Sequence, residues 1–298
     1  MNRLGESDLI VSEISFGCMS LENNEAQATT LLHKAFDRGI NFFDTADLYD
    51  KGANEMHVGT ALKAFRKEVV IATKVGNQWR PDGSGWDWNP SKDYILKSAE
   101  QSLRRLKTDY IDLYQLHGGT IDDPVDETIE AFELLKAQGK IRWYGISSIR
   151  PNVIREYVKR SNIVSVMTQY SLLDHRPEET VLPLLTANNI GVITRGAVAQ
   201  GRLLGKKEGS YLQFTSSEVS KAARAVSTLA KRLDKKEIAI ALAYVLSRPG
   251  IVSAVTGIRT DKQLNDAIAV LKEPVKLESK DLIMLRQQVR DYVYENYR

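Results

Sequence analysis

The chain has 298 residues, 43% of them hydrophobic and 27% charged, the balance of a globular protein with a large core. Its net charge of +3 comes from 41 basic and 38 acidic residues dispersed along the chain, which argues against a nucleic-acid partner and leaves room only for a local phosphate pocket. Cys18 stands alone, so no disulfide within the chain holds the fold. Neither a leader pattern at Met1–Asp8 nor an apolar run of about 18 residues is present, so a cytoplasmic protein with no membrane partner is expected.

Short β-branched runs alternate with amphipathic stretches of helical length. Val11–Phe16 reads as the first strand, followed by a helix over Ala26–Arg38 that stops at Gly39. Asn41–Asp44 is the second strand, and Asn54 is placed to cap a helix over Glu55–Phe65. Val69–Lys74 is the third strand. After it comes the longest irregular region, Gly76–Pro90, then a helix over Lys92–Leu106. Tyr110–His117, Ile141–Ser147, Ile163–Gln169 and Ile190–Thr194 continue the strands, separated by helices over Asp126–Gln138, Val153–Lys159 and Glu178–Ala187. Helical patterns at Ser217–Arg232 and Lys236–Leu246 precede the eighth strand, Ile251–Thr256; Lys262–Leu271 closes the series, and Ser279–Tyr297 reads as an extra helix.

Apolar strands each separated by a helix imply a parallel sheet covered on both faces. Eight such units predict a (β/α)8 TIM barrel, a single domain over residues 1–298 with an N-terminal β-hairpin and an extra C-terminal helix. The competitor is an open doubly wound sheet, disfavoured because no Gly-x-Gly-x-x-Gly follows the first strand.

In a barrel, polar residues at the C-terminal ends of strands are candidates for chemistry. The second strand ends at Asp44 with Tyr49 in the loop beyond, the third at Lys74, the fourth at His117 and the fifth at Ser147-Ser148. A phenol with a pKa near 10 is a poor proton donor at neutral pH unless its phenolate is stabilised, and a lysine ammonium held charged by an aspartate does that. A neutral histidine donates to a carbonyl oxygen. Together the four groups describe protonation of a carbonyl oxygen while hydride reaches the carbon; singly, each has a structural explanation.

These residues resemble the aldo-keto reductase superfamily. The resemblance rests on the Gly39–Tyr49 segment (GINFFDTADLY), Asn54-Glu55, Gly59–Leu62, Ala72-Thr73-Lys74, Asp109–Leu113, Leu116-His117, Gly139–Arg142, Gly145–Ser147 and Gln169-Tyr170-Ser171, and runs from Leu4 to about Ile268. Its style is that of the bacterial and potassium-channel β-subunit-like branch. It implies that Tyr49 is the general acid, Asp44 and Lys74 its tuning pair, and His117 the carbonyl orienter. It also implies that Ser147 and Gln169 hold a nicotinamide carboxamide and that Gly17-Cys18-Met19 lines the cofactor's reactive end. Thr256–Asp266, with Gly257, Arg259, Lys262, Gln263 and Asp266, is then the adenosine-phosphate segment. NADPH is the expected cofactor, because Arg259 with Lys262 and Gln263 suits a 2′-phosphate, with NADH as the other possibility; the substrate class is a small carbonyl compound.

The chain departs from the family pattern at three places. Ser148 stands where an asparagine is usual, Gly118-Gly119 follows the histidine, and Arg195, next to Gly196, aligns with an aromatic ring that stacks on the nicotinamide. Gly201–Lys206 resembles a phosphate loop one spacer residue short, with Lys207 where Ser or Thr is needed, and reads as a loop touching the pyrophosphate. Trp79, Trp86 and Trp88, with Met19 and Tyr49, read either as a substrate-pocket wall or as pins for the loop. The four histidines lack metal-ligand spacing, so no metal is expected. Two other functions stay open: a barrel lyase using Lys74 as a Schiff-base amine, and a cofactor-sensing regulatory subunit with little turnover. The sequence leaves the oligomeric state unset.

Overall fold

A computed structural model describes residues 1–206 and 208–298; Lys207, part of the expected pyrophosphate loop, lies outside the described residues. Eight strands close into a parallel barrel in chain order: β1 (Ile14–Gly17), β2 (Phe42–Asp44), β3 (Val70–Val75), β4 (Ile111–Leu116), β5 (Ile141–Ser147), β6 (Ser165–Gln169), β7 (Gly191–Arg195) and β8 (Ile251–Gly257). This closure excludes the open sheet. Around it lie α1 (Glu25–Asp37), α2 (Ala53–Leu62), α3 (Lys92–Leu106), α4 (Val125–Ala137), α5 (Pro151–Arg160), α6 (Val181–Ala187), α7 (Ser216–Arg232), α8 (Glu237–Leu246), α9 (Asp261–Lys272) and α10 (Ser279–Arg286).

The strands are apolar on both faces because each serves two cores. Val70 and Ala72 of β3 point into the barrel with Phe42, Leu113, Met167 and Ile193, while Ile71 and Val75 pack under the helices. Each such fully buried aliphatic side chain stabilises the fold by roughly 1.5–3 kcal/mol. The N-terminal hairpin, Asn2–Arg3 against Ile10–Val11, stoppers the barrel floor: Leu4, Leu9 and Val11 belong to the interior cluster. Gly5, at φ +56°, is obligatory there, since a Cβ would lie 2.3 Å from the Val164 carbonyl.

Four expectations need correction. The first strand does not run through Val11–Phe16: Ile10–Val11 pairs in the hairpin, and Ser12, bonded to Asn41 and Ile14, turns the chain into β1. Asn54 is no cap. It is buried inside α2, accepting from the Thr45 hydroxyl at 2.6 Å and donating to the Cys18 carbonyl at 2.9 Å. The region 76–90 contains a hairpin, Asn77–Trp79 paired with Trp86–Trp88. The last helix stops at Arg286 because the tail's N–H groups are used elsewhere, Tyr292 on His175 Nε2 at 3.0 Å and Tyr294 on Glu179 at 3.2 Å.

Strand register positions the site. Gly17 pairs with Asp44, Asp44 with Ala72, Lys74 with Gln115, and Gln169 with Arg195, so these strand ends meet at one rim. No described helix is long and apolar enough to cross a membrane.

Candidate active site

Lys74 projects from the end of β3 with its side chain 1% exposed. Its ammonium has three protons and three acceptors: Asp44 Oδ2 at 2.8 Å, the Thr45 carbonyl at 2.7 Å and the Tyr49 hydroxyl at 3.4 Å. Burial alone would drive this lysine toward neutrality, but Asp44 prevails and its pKa lies above the ordinary value. Burial pushes the Asp44 carboxyl up, and Lys74 pulls it back.

The Tyr49 phenol differs from expectation in sign. Burial raises its pKa above 10 by more than the neighbouring ammonium lowers it, so the group keeps its proton at neutral pH. The ammonium still contributes, because its attraction grows as the phenol gives that proton up.

Tyr49 opens a tight turn in which Asp50 (φ 48°), Lys51 (φ 54°) and Gly52 (φ 90°) are all left-handed. For the two non-glycine residues this costs roughly 1–2 kcal/mol each, so the surroundings must hold the turn. Gly52 lies against Arg105, where a Cβ would come within 2.7 Å of Cδ. Arg105 Nε is bonded at 2.6 Å to Glu55, which is fully buried and accepts the Thr73 hydroxyl at 2.6 Å. The Trp79 indole donates to the Leu48 carbonyl at 3.2 Å.

His117, just past β4, is fixed by its N–H to Val75 at 2.7 Å and by Asn77 Nδ2 donating to its carbonyl at 3.1 Å. Its ring meets Tyr49 edge-on, with centroids 6.0 Å apart at 84°. Burial, then the charges of Lys74 and Arg195, push its pKa down to about 3, so the ring is neutral and has one N–H to offer.

Across the rim, Arg195 donates to Gln169 Oε1 at 2.8 Å, and Gln169 Nε2 donates to Asp174 at 2.8 Å and to the Tyr211 hydroxyl at 3.3 Å. Asp174 is fully buried and clamped by the fork of Arg176 at 2.7 and 2.8 Å. Sequence reasoning named Gln169 and Arg195 but missed Asp174, Arg176, Asn77 and the Glu55–Arg105 pair. Gly196 packs on the Gln169 stem, 3.3 Å from its would-be Cβ. Ser147 ends β5 at the same rim, and the Ser148 hydroxyl accepts the Arg150 N–H at 3.2 Å.

The remaining residues divide. Cys18 is fully buried, with burial raising its thiol pKa, whereas Met19 beside it is 65% exposed. Gly17 lets β1 approach β8, a Cβ there lying 2.9 Å from Val255. Gly201 completes a left-handed run with Ala199 and Gln200. Arg259 and exposed Lys262 flank the start of α9, and Gly257 lies where a Cβ would come 2.6 Å from the Ser20 hydroxyl. Gln263 is spent on the helix: it accepts the Arg259 and Thr260 N–H groups in a capping box. Asp266 does not join this cluster either, because its buried carboxylate pairs with Lys236 in a groove between α8 and α9. Trp88 is a pin, its indole donating to Asp123 at 2.9 Å and its ring seated on Gly76 and Gly118. Trp86, half-exposed, is paired with Trp79 on the hairpin.

Comparison with known proteins agrees with this geometry. The chain is 47% identical over 305 residues to the uncharacterized oxidoreductase YqkF of Bacillus subtilis, covering 99% of this chain and 98% of that one. It superposes with a TM-score of 0.93, at 47% identity and over 99% and 98% of the two chains, on the holo form of aldo-keto reductase AKR11C1 from Bacillus halodurans. It is 28% identical over 317 residues, 95% of this chain and 96% of the other, to an NADH-specific methylglyoxal reductase of Escherichia coli. Residues 13–287 match the aldo/keto reductase family, and with a closed barrel carrying aspartate, tyrosine, lysine and histidine at one rim the chain belongs to that family of nicotinamide-dependent oxidoreductases.

Proposed function

We propose that the chain reduces a small aldehyde or ketone to the alcohol, reversibly, with Tyr49 as the proton donor and NADPH as the cofactor. The observation that carries this reading is the threefold hold on Lys74, which places a permanent ammonium 3.4 Å from a protonated phenol. When bound, the nicotinamide supplies hydride to the carbonyl carbon. The neutral His117 ring orients the carbonyl by its N–H, and Tyr49 passes its proton to the carbonyl oxygen. Lys74 stabilises the phenolate left behind, an interaction stronger after transfer than before it and therefore one that lowers the barrier.

The residues present fit the cofactor. Ser147 and the second lone pair of Gln169 Oε1 can bond a carboxamide at the same rim, and the left-handed turn Ala199–Gly201 is a backbone conformation suited to a phosphate. Arg259 and Lys262 supply positive charge at the start of α9, which favours a 2′-phosphate. The Escherichia coli relative is NADH-specific by name, so this preference needs its own measurement. A Schiff-base role for Lys74 is disfavoured by the same geometry, since Asp44 at 2.8 Å keeps the amine protonated and non-nucleophilic.

The test is cofactor oxidation against a panel of aldehydes and ketones, run with NADPH and NADH in parallel. Alcohol formation with a higher kcat/KM for NADPH supports the reading. Equal efficiency or an NADH preference ends the NADPH assignment, and no turnover with any carbonyl ends the reductase assignment.

A further inference from the structure

Behind the Tyr49 turn, between the 77–88 hairpin and α3, lies a polar cavity of about 290 Å³ that the carbonyl chemistry does not use. Its walls include Asp47, Lys51, Trp79, Lys97 and Arg105. Three cations converge on it from two elements: Lys51 from the turn, with its ammonium 5.1 Å over the Trp79 ring, and Lys97 and Arg105 from α3. Among the described residues, neither Lys51 nor Lys97 takes part in an ion pair. Arg105 is committed to Glu55 through Nε and to Ser102 through Nη2, with Nη1 left over.

The acidic member does not cancel this charge. Asp47 is 8% exposed and its Oδ1 has no hydrogen-bond partner, an uncommon condition for a buried carboxyl oxygen. Its neighbour Glu55 already holds the nearby guanidinium. Burial and the charge of Glu55 push the Asp47 carboxyl well above the ordinary carboxylate range. A cavity with two ammonium groups outside any ion pair and a spare guanidinium N–H, set against one carboxyl, is complementary to an acceptor-rich anion.

We propose that this cavity is a second ligand site that binds the carboxylate or phosphate group of a small metabolite. The occupant bridges the Tyr49 turn to α3 beneath Trp79, so it steadies both the turn and the hairpin.

The experiment is calorimetric titration of the full-length protein with inorganic phosphate and, separately, with succinate, at ionic strength matched with chloride and with and without saturating NADP+. The site predicts one saturable binding event for at least one anion that persists when NADP+ is present, and the anion that binds distinguishes phosphate from carboxylate. Lys97→Gln should weaken it about tenfold while leaving Tm and anion-free turnover within twofold of wild type, its side chain being exposed on α3. No saturable binding overturns the proposal. So does binding that NADP+ abolishes, or binding that Lys97→Gln leaves intact, because in either case the anion sits elsewhere.

Discussion

Asp174→Asn tests whether the Gln169 amide, proposed above to hold the nicotinamide, is set by the buried carboxylate behind it. The substitution preserves shape but removes the charge that receives both arms of the Arg176 fork, at 2.7 and 2.8 Å, and the Gln169 amide, at 2.8 Å. Breaking a buried ion pair from one side typically costs about 3–5 kcal/mol. Here the Arg176 side chain is 16% exposed and its guanidinium lies 4.8 and 5.2 Å over the Tyr292 and Tyr294 rings, so some of its charge stays compensated. Asparagine also retains one acceptor, which brings the expected cost to about 2 kcal/mol and, for a chain of 298 residues, the loss of Tm to about 3 °C. The cofactor effect is separate. Freed of its charged anchor, Gln169 turns toward Arg195, and losing about 1.4 kcal/mol of orientation weakens NADPH about tenfold. Fluorescence titration of NADPH reads Kd, and turnover at saturating NADPH should stay within about threefold of wild type. A lowered Tm with unchanged Kd would show that Asp174 only stabilises the loop and that Gln169 is not oriented through it.

Other outcomes follow from the same contacts. His117 carries a folded-state pKa of about 3 against 6.5 when exposed, so the unfolded chain binds more protons between those values and stability falls as pH drops below 6.5. Urea unfolding of wild type should lose up to about 2 kcal/mol more than His117→Gln between pH 7 and 5; equal losses would contradict the neutral, buried ring. Gly52→Ala places a Cβ 2.7 Å from Arg105 at φ 90°, and should cost about 1–3 kcal/mol and lower kcat by displacing Tyr49. An alanine variant as active and as stable as wild type would show that the turn is not constrained. Arg259→Ala should raise Kd for NADPH by roughly tenfold to a hundredfold and leave NADH nearly unchanged; an equal effect on both cofactors would remove Arg259 from the 2′-phosphate.

The architecture was legible because strand ends carry it: Asp44, Lys74 and His117 close runs whose apolar residues must serve two cores, and register does the rest. Residues whose meaning depends on burial or facing were not legible. The sign of the Tyr49 shift follows from how dry the phenol is, which no local pattern encodes. Gln263 and Asp266 lie within one helical turn, yet one caps α9 and the other pairs with Lys236, a division set by how α9 sits on α8. Asp174 matters only through Arg176 and a side chain five residues back, in a loop with no periodicity to flag it. The tail misled because its helical pattern competes with acceptors on His175 and Glu179 more than a hundred residues away in sequence.

The reduction is tested most directly by turnover of Tyr49→Phe beside its NADPH Kd. Phenylalanine removes only the hydroxyl that faces Lys74 at 3.4 Å. Loss of a positioned proton donor should lower kcat by roughly 10²–10⁴-fold, with Kd for NADPH within about threefold of wild type. A variant that reduces the same carbonyl within tenfold of the wild-type rate would show that the proton comes from somewhere else.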